Sequence, residues 1–139
     1  MIILDTNVVS EPMKVNADPA VAAWLDRQAA ETLYLTAVSL AELLVGVETM
    51  PAGKRREGVG AALGELLSRL FGARILPFDE NAARAYATLV ARARANGCAL
   101  SAADAEIAAI ATVKGFTVAT RDTAPFVAAG VPIVDPWRP

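Results

Sequence analysis

The chain has 139 residues, 55% of them hydrophobic and 20% charged, a balance that favours one globular domain over residues 1–139 and excludes a disordered or collagen-like chain. Its formal net charge of −2 does not indicate the basic surface that many nucleic-acid-binding proteins carry. With no histidine and a single cysteine, Cys98, an internal disulfide, a zinc site and a histidine-dependent hydrolase are excluded, so acid–base or metal chemistry must come from carboxylates.

The first half of the chain alternates short apolar runs with helical patterns. Residues 1–4 are an apolar run that ends at Asp5, which is typical of a buried strand. Asp18 followed by Pro19 predicts a helix start, because aspartate caps free N–H groups and proline suits the first turn. The elements predicted here are, in chain order, a strand at 1–4, a helix at 19–28, a strand at 33–36, a helix at 38–48 and a helix at 54–72.

The second half continues the same alternation. Asp79 and Ser101 predict two further helix starts, and Gly97 and Gly115 predict the corresponding ends. The elements predicted here are a strand at 73–78, helices at 80–96 and 101–114, a strand at 116–120, a helical turn at 125–129 and a strand at 131–134. Alternating strands and helices predict an α/β domain, with a mostly parallel sheet of about four to five strands and helices on both faces.

Four acidic residues lie where such a fold places its ligand crevice. Asp5 and Asp122 directly follow predicted strands, and in parallel sheets the crevice lies beyond the carboxyl ends of the strands. Glu42 and Asp104 lie in early turns of helices that adjoin the second and fourth strands. The topology therefore permits all four carboxylates to meet.

Each of these acids, taken alone, also has a purely structural explanation. Two of them follow Ser39 and Ser101 by three residues, the spacing of a capping box. The other two occupy positions where aspartate is a common turn residue. Glu11 and Glu106 are expected to be solvated acids on helix faces.

Four segments, in order, form a more specific pattern. They are residues 3–11 (ILDTNVVSE), 39–46 (SLAELLVG), 104–111 (DAEIAAIA) and 118–122 (VATRD). Together they resemble the PIN-domain ribonucleases, and in particular the VapC and FitB toxins of bacterial toxin–antitoxin pairs. The terminal Asp135-Pro136-Trp137 is similar to the Asn-Pro-Trp of FitB-like members, so the resemblance extends over nearly the whole chain.

The resemblance implies that Asp5, Glu42 and Asp104 bind Mg²⁺ or Mn²⁺, hard cations that prefer oxygen ligands. Many members continue after the fourth strand as Thr-Arg-Asn-x-x-Asp-Phe, whereas this chain has Asp122 in the asparagine position and Pro125 in place of the later aspartate. We therefore expect Asp122 to be the fourth catalytic and metal-binding carboxylate.

Polar neighbours of these acids are expected to support them. The side chains of Thr6, Asn7, Ser39 and Thr120 are predicted to orient a carboxylate or a metal-bound water. Arg121, between Thr120 and the fourth acid, is predicted to contact an RNA phosphate.

The implied function is a metal-dependent endoribonuclease that acts as a toxin and hydrolyses RNA phosphodiester bonds; the residues leave open whether one or two cations bind. The alternative is a non-catalytic PIN-like domain that binds nucleic acid or a protein. A haloacid-dehalogenase phosphatase is disfavoured because Asn7 stands where its second aspartate is needed. A receiver domain is disfavoured because Pro136 and Trp137, not lysine, follow the last strand.

The resemblance also implies a cognate antitoxin whose extended segment covers the site in an apolar groove, a homodimer, and promoter DNA bound only through the antitoxin. Trp24, on an apolar stripe with Val21 and Leu25, is the predicted antitoxin contact, and a second stripe comprises Leu63, Leu66, Leu67 and Leu70. The alternative for both stripes is that they pack on the sheet. Five basic residues are expected either to be solvated or to guide RNA: Lys54, Arg55, Arg56, Arg92 and Arg94.

No membrane span and no basic leader are found, so a cytoplasmic location is expected.

Overall fold

A five-stranded parallel sheet organises the protein, which is described by a computed structural model of residues 1–139. The strands are β1 (Ile2–Leu4), β2 (Leu33–Thr36), β3 (Ile75–Leu76), β4 (Thr117–Ala119) and β5 (Ile133–Val134), in the spatial order β3-β2-β1-β4-β5. Every neighbouring pair is parallel, with Ile3 opposite Tyr34 on one side and Val118 on the other. The predicted α/β class, sheet type and strand number are confirmed.

Seven α-helices connect the strands. They are α1 (Thr6–Ser10), α2 (Pro19–Asp26), α3 (Ala37–Glu48), α4 (Lys54–Leu70), α5 (Glu80–Ala95), α6 (Ala102–Lys114) and α7 (Thr123–Ala128). The predicted caps are present: Asp18, Asp79 and Ser101 accept hydrogen bonds from the first turns of α2, α5 and α6. None of the helices is long and apolar enough to span a membrane.

Helices cover both faces of the sheet, because successive strand residues point to opposite sides. Leu4, Leu33 and Leu35 join one buried cluster with α1 to α4. Ile3 and Val118 join the second cluster, formed mainly with α5, α6 and α7. This double covering leaves the ends of the strands as the place where polar groups gather.

Trp24 belongs to the core, and its predicted role as an exposed partner contact is therefore wrong. Its side chain is only 5% exposed and packs in the same cluster as Val21 and Leu25. The second predicted stripe is also internal, since Leu63, Leu66 and Leu70 are buried there. Burial of an indole ring against the sheet removes the large apolar area that an interface contact would need.

Helix α1 and a following 3₁₀ turn at Glu11–Met13 were not predicted. The β-branched residues of the segment favour a strand by propensity, yet the Asp5 carboxylate caps the Thr6 N–H and Val8 and Val9 are fully buried. Glu11 is likewise buried, so its expected position on a solvated helix face is wrong.

Four strands are shorter than predicted: β1 and β4 by one or two residues, and β3 and β5 by two or more. Pro77 cannot donate a ladder hydrogen bond, and β3 ends one residue before it. The Val131 N–H donates to the Phe126 carbonyl at the end of α7, at 3.0 Å, and is not available to the sheet. β5 consequently begins at Ile133 rather than at Val131.

Candidate active site

A polar pocket of about 310 Å³ opens beyond the carboxyl ends of β1 and β4, and no hydrophobic residue lines it. Four carboxylates come to it from four separate parts of the chain. The lining residues are Asp5, Thr6, Asn7, Ser10, Glu42, Asp104 and Asp122. All four acids predicted from the sequence thus face one cavity.

Different elements place the four carboxylates. Asp5 directly follows β1 and caps α1, and Asp122 follows β4 one residue before α7 begins. Glu42 lies in the second turn of α3, whose start is capped by Thr36 and not by Ser39. Asp104 lies in the first turn of α6, with its N–H donating to Ser101 Oγ at 3.1 Å. The capping-box spacing therefore describes a true cap at Asp104 and none at Glu42.

Asp5 is the buried member of the group, with 6% of its surface exposed. Its two carboxylate oxygens are held separately: the Thr6 N–H donates to Oδ1 at 2.8 Å, and the Thr120 hydroxyl donates to Oδ2 at 2.8 Å. Burial raises the pKa of Asp5, and the charges of Asp104 and Glu42 raise it further, while the two hydrogen bonds act in the opposite direction. The net result is an acid whose ionised form is disfavoured.

Glu42 is solvent-exposed and is tied to α1 by one side-chain contact. The Thr6 hydroxyl donates to Glu42 Oε1 at 2.8 Å. Because the Thr6 backbone N–H binds Asp5 at the same time, this threonine links two of the four acids. The expected supporting role of Thr6 has a clear geometric basis.

Asp122 lines the pocket without acting as a helix cap. Its carboxylate makes no capping hydrogen bond to α7, and its backbone N–H donates to Thr120 Oγ at 3.1 Å. A turn aspartate normally uses its side chain to bind nearby backbone. The carboxylate is instead free to face the cavity.

The other predicted supporting residues differ in position. Asn7 lines the pocket, and its Oδ1 accepts a hydrogen bond from the Arg121 backbone N–H at 3.4 Å. Ser39 does not line it: its hydroxyl is buried and makes no hydrogen bond. Ser10 was missed from the sequence, although it lies four residues after Thr6, and this spacing places both on one face once residues 6–10 form a helix.

The four acids form a pocket, not a closed ligand cluster. No three carboxylate, cysteine or histidine side chains of the chain are arranged to hold a metal ion. The carboxylates nevertheless line one cavity.

The family of the chain follows from comparison with known proteins. A family model described as PIN domain matches residues 2–131. The chain belongs to the PIN-domain family, and the predicted resemblance is confirmed.

Within that family, its relatives are toxins of the VapC and FitB type. The chain is 54% identical to VapC ribonuclease Y4jK of Sinorhizobium fredii over 140 residues, which cover 100% of this chain and 99% of the relative. It is 44% identical to Toxin FitB of Neisseria gonorrhoeae over 138 residues, covering 99% of each chain. The solved structure of FitAB bound to an IR36 DNA fragment superposes with a TM-score of 0.95 at 42% identity, covering 100% of this chain and 97% of that one.

Proposed function

We propose that the protein is a Mg²⁺- or Mn²⁺-dependent endoribonuclease that acts as the toxin of a toxin–antitoxin pair. The observation that carries the proposal is the pocket itself, which four carboxylates from distant parts of the chain line together and which no hydrophobic residue lines. The name of the VapC relative, a ribonuclease, supports RNA as the substrate.

The chemistry of the pocket suits a hard divalent cation. Carboxylate, hydroxyl and amide oxygens are the groups that Mg²⁺ and Mn²⁺ prefer. Asp5 is buried, and the negative charges of Asp104 and Glu42 repel its ionised form. A bound cation would offset this repulsion and draw the carboxylates together. Asp5, Glu42 and Asp104 would hold it, with Asp122 as the fourth.

When bound, such a cation supplies Lewis-acid stabilisation of phosphate charge and lowers the pKa of a coordinated water. The chain contributes orientation. The Thr6 N–H and the Thr120 hydroxyl fix the two oxygens of Asp5, and the Thr6 hydroxyl fixes Glu42. Without histidine, the protein has no ordinary neutral-pH base, and the carboxylates take the role of organising the attacking water.

The test is RNA cleavage by matched aspartate variants. Asp5→Asn keeps the shape of the side chain but binds a cation far less well, so we expect most Mn²⁺-dependent cleavage to be lost while the circular dichroism spectrum is unchanged. Asp26→Asn is the control, because Asp26 is exposed at the end of α2 and should retain wild-type cleavage. Wild-type cleavage by Asp5→Asn would refute the assignment.

A second candidate function is a non-catalytic PIN-like domain that binds nucleic acid or a protein. It is favoured by two observations: the carboxylates form no closed ligand cluster, and Pro125 stands where many members have an acid. RNA binding without cleavage at any Mn²⁺ concentration would support this candidate.

The cognate antitoxin is the proposed partner, and an apolar cavity of about 280 Å³ is a suitable place for it. This cavity lies between the Glu11–Met13 turn, α3 and α4, and its apolar lining includes Leu43, Val47 and Leu63. It shares Thr6, Ser10 and Glu42 with the acidic pocket. A segment that fills it would therefore also cover the carboxylates.

Two further proposals follow from the family. Leu44 and Val45 are exposed on α3 and offer apolar area for a homodimer. Promoter DNA is proposed to bind only through the antitoxin, and the cytoplasm, where RNA is abundant, is the proposed location.

A further inference from the structure

The C-terminal tail contacts Arg121 at the edge of the acidic pocket. The Arg121 guanidinium lies over the Trp137 ring, 5.2 Å from its centroid, which is within cation–π distance. The tail itself is held in place: the Trp137 backbone N–H donates to Asp135 Oδ1 at 2.9 Å, and the indole packs against the buried cluster formed with α1 to α4. The ring is thus a firm platform for an otherwise exposed side chain.

A buried negative charge lies near the same arginine. Glu11 is 5% exposed and pairs with Lys14, whose Nζ lies 2.9 Å from Oε2. The Lys14 contact is the main cause that lowers the pKa of Glu11, and the charge of Arg121 contributes to the same shift. The ionised form of Glu11 is therefore favoured, and its charge attracts the Arg121 guanidinium.

The acidic pocket lacks a positive side chain of its own, since none of its seven lining residues is basic. RNA presents a phosphate at every nucleotide, and four carboxylates repel it. Arg121 borders the pocket through its backbone: its backbone N–H donates to Asn7 Oδ1 at 3.4 Å, and its chain neighbour Asp122 lines the cavity. A guanidinium fixed here would supply the missing contact to phosphate.

We propose that Trp137 is a positioning residue that, together with Glu11, holds Arg121 where it binds an RNA phosphate beside the carboxylates. The proposal rests on RNA being the substrate of the proposed function. It makes the C-terminal tail part of the binding site, because removal of the indole leaves the arginine free to turn away from the pocket.

The experiment is a double-mutant cycle in which RNA binding is measured. RNA cleavage is measured in a separate assay, called here the cleavage arm. Binding of a labelled single-stranded RNA is measured by fluorescence anisotropy in the presence of a chelator and over a range of salt, so the binding arm needs neither metal nor cleavage. The variants are Trp137→Leu, which keeps apolar bulk against the core, Arg121→Ala and the double variant. Lys114→Ala is the control for loss of one charge, because Lys114 precedes β4 at the opposite end of the sheet.

We expect Trp137→Leu to weaken binding about three- to ten-fold, and Arg121→Ala at least as much while lowering the salt slope by about 0.7. In the Arg121→Ala background, Trp137→Leu should add nothing, since the ring acts through the arginine. In Mn²⁺, the Trp137→Leu variant should raise KM and leave kcat nearly unchanged.

Two outcomes would overturn the proposal. Equal losses from Trp137→Leu in both backgrounds, accompanied by a lower Tm, would make the indole a purely structural residue. RNA binding that is equally strong in the wild type and in Arg121→Ala would remove the arginine from recognition, and so would RNA binding that is undetectable in both. The cleavage arm distinguishes failure of the proposed ribonuclease function, because the wild type itself would then be inactive in Mn²⁺. The binding measurements would still report on Arg121 and Trp137.

Discussion

The substitution Thr120→Val tests how strongly one buried hydroxyl supports the key carboxylate. Thr120 is fully buried, and its Oγ donates to Asp5 Oδ2 at 2.8 Å. A hydrogen bond to a charged acceptor contributes about 1.5–3 kcal/mol, and valine offers nearly the same shape without the donor. With an unfolding entropy of about 2.1 cal/mol/K per residue, a chain of 139 residues should lose about 5–10 °C in Tm at neutral pH.

The pH dependence of this loss identifies its cause. The Thr120 hydrogen bond lowers the pKa of Asp5, so its removal raises that pKa further above the ordinary value. The part of the loss that belongs to the ionised carboxylate is fully expressed above the raised pKa that Asp5 has in the variant, whereas the Asp122 N–H, which loses its acceptor Thr120 Oγ, adds a part that does not depend on that pKa. The difference in Tm between wild type and variant should therefore shrink as the pH falls through that pKa.

Thermal unfolding followed by circular dichroism over a pH series is the assay. Thr120→Ser keeps the hydroxyl, and Thr117→Val makes the same substitution on β4 at a side chain that has no hydrogen bond to an acid. Thr117→Val should remain close to wild type, and Thr120→Ser should lose only the contribution of one buried methyl group, about 3 °C, at every pH. A Tm change under 2 °C for Thr120→Val, or a loss that is independent of pH, would refute the proposed support of Asp5.

Four other predictions concern the pocket, the core and the partner surface. Asp5→Asn should raise Tm at neutral pH without metal, because the pKa of Asp5 is raised and its ionisation therefore destabilises the folded state as pH increases. The gain in Tm should vanish in acid. A Tm below that of the wild type at pH 7 would contradict this prediction. Asp122→Asn should reduce Mn²⁺-dependent cleavage less than Asp5→Asn does, and full activity in a kinetic assay would restrict Asp122 to a turn role. Trp24→Ala should lower stability by about 3–5 kcal/mol in urea unfolding, and Val47→Asp should weaken antitoxin binding measured by calorimetry. Unchanged antitoxin affinity in the Val47 variant would place the partner elsewhere.

Much of the fold could be predicted because the local signals and the tertiary structure agree. Residues Leu33–Thr36 form an apolar run that is buried as a strand. Asp79 and Ser101 each precede a segment with helical spacing of apolar residues, and each caps the helix that the segment forms. Helix α1 was missed because its β-branched residues oppose a helix, and only the cap by Asp5 and the burial of its valines decide the outcome. Local propensity is a weak guide where tertiary packing acts against it.

The site shows the same division. The four acids could be predicted because they follow strand ends or begin helices in a parallel sheet, where the topology itself brings them together. The burial of Glu11 and the contact of Arg121 with Trp137 could not, because both depend on chain segments separated by many residues. Trp24 was misplaced for a related reason: an apolar stripe has the same pattern whether it faces the sheet or a partner.

The central claim is that the carboxylate pocket makes the protein a metal-dependent ribonuclease. Its most direct test is to map new RNA ends after incubation of total cellular RNA with the wild-type protein, in Mn²⁺ and in Mn²⁺ with excess chelator. The account predicts discrete internal cleavage ends with Mn²⁺ and none with chelator. The absence of ends in both reactions, or equal cleavage in both, would contradict it.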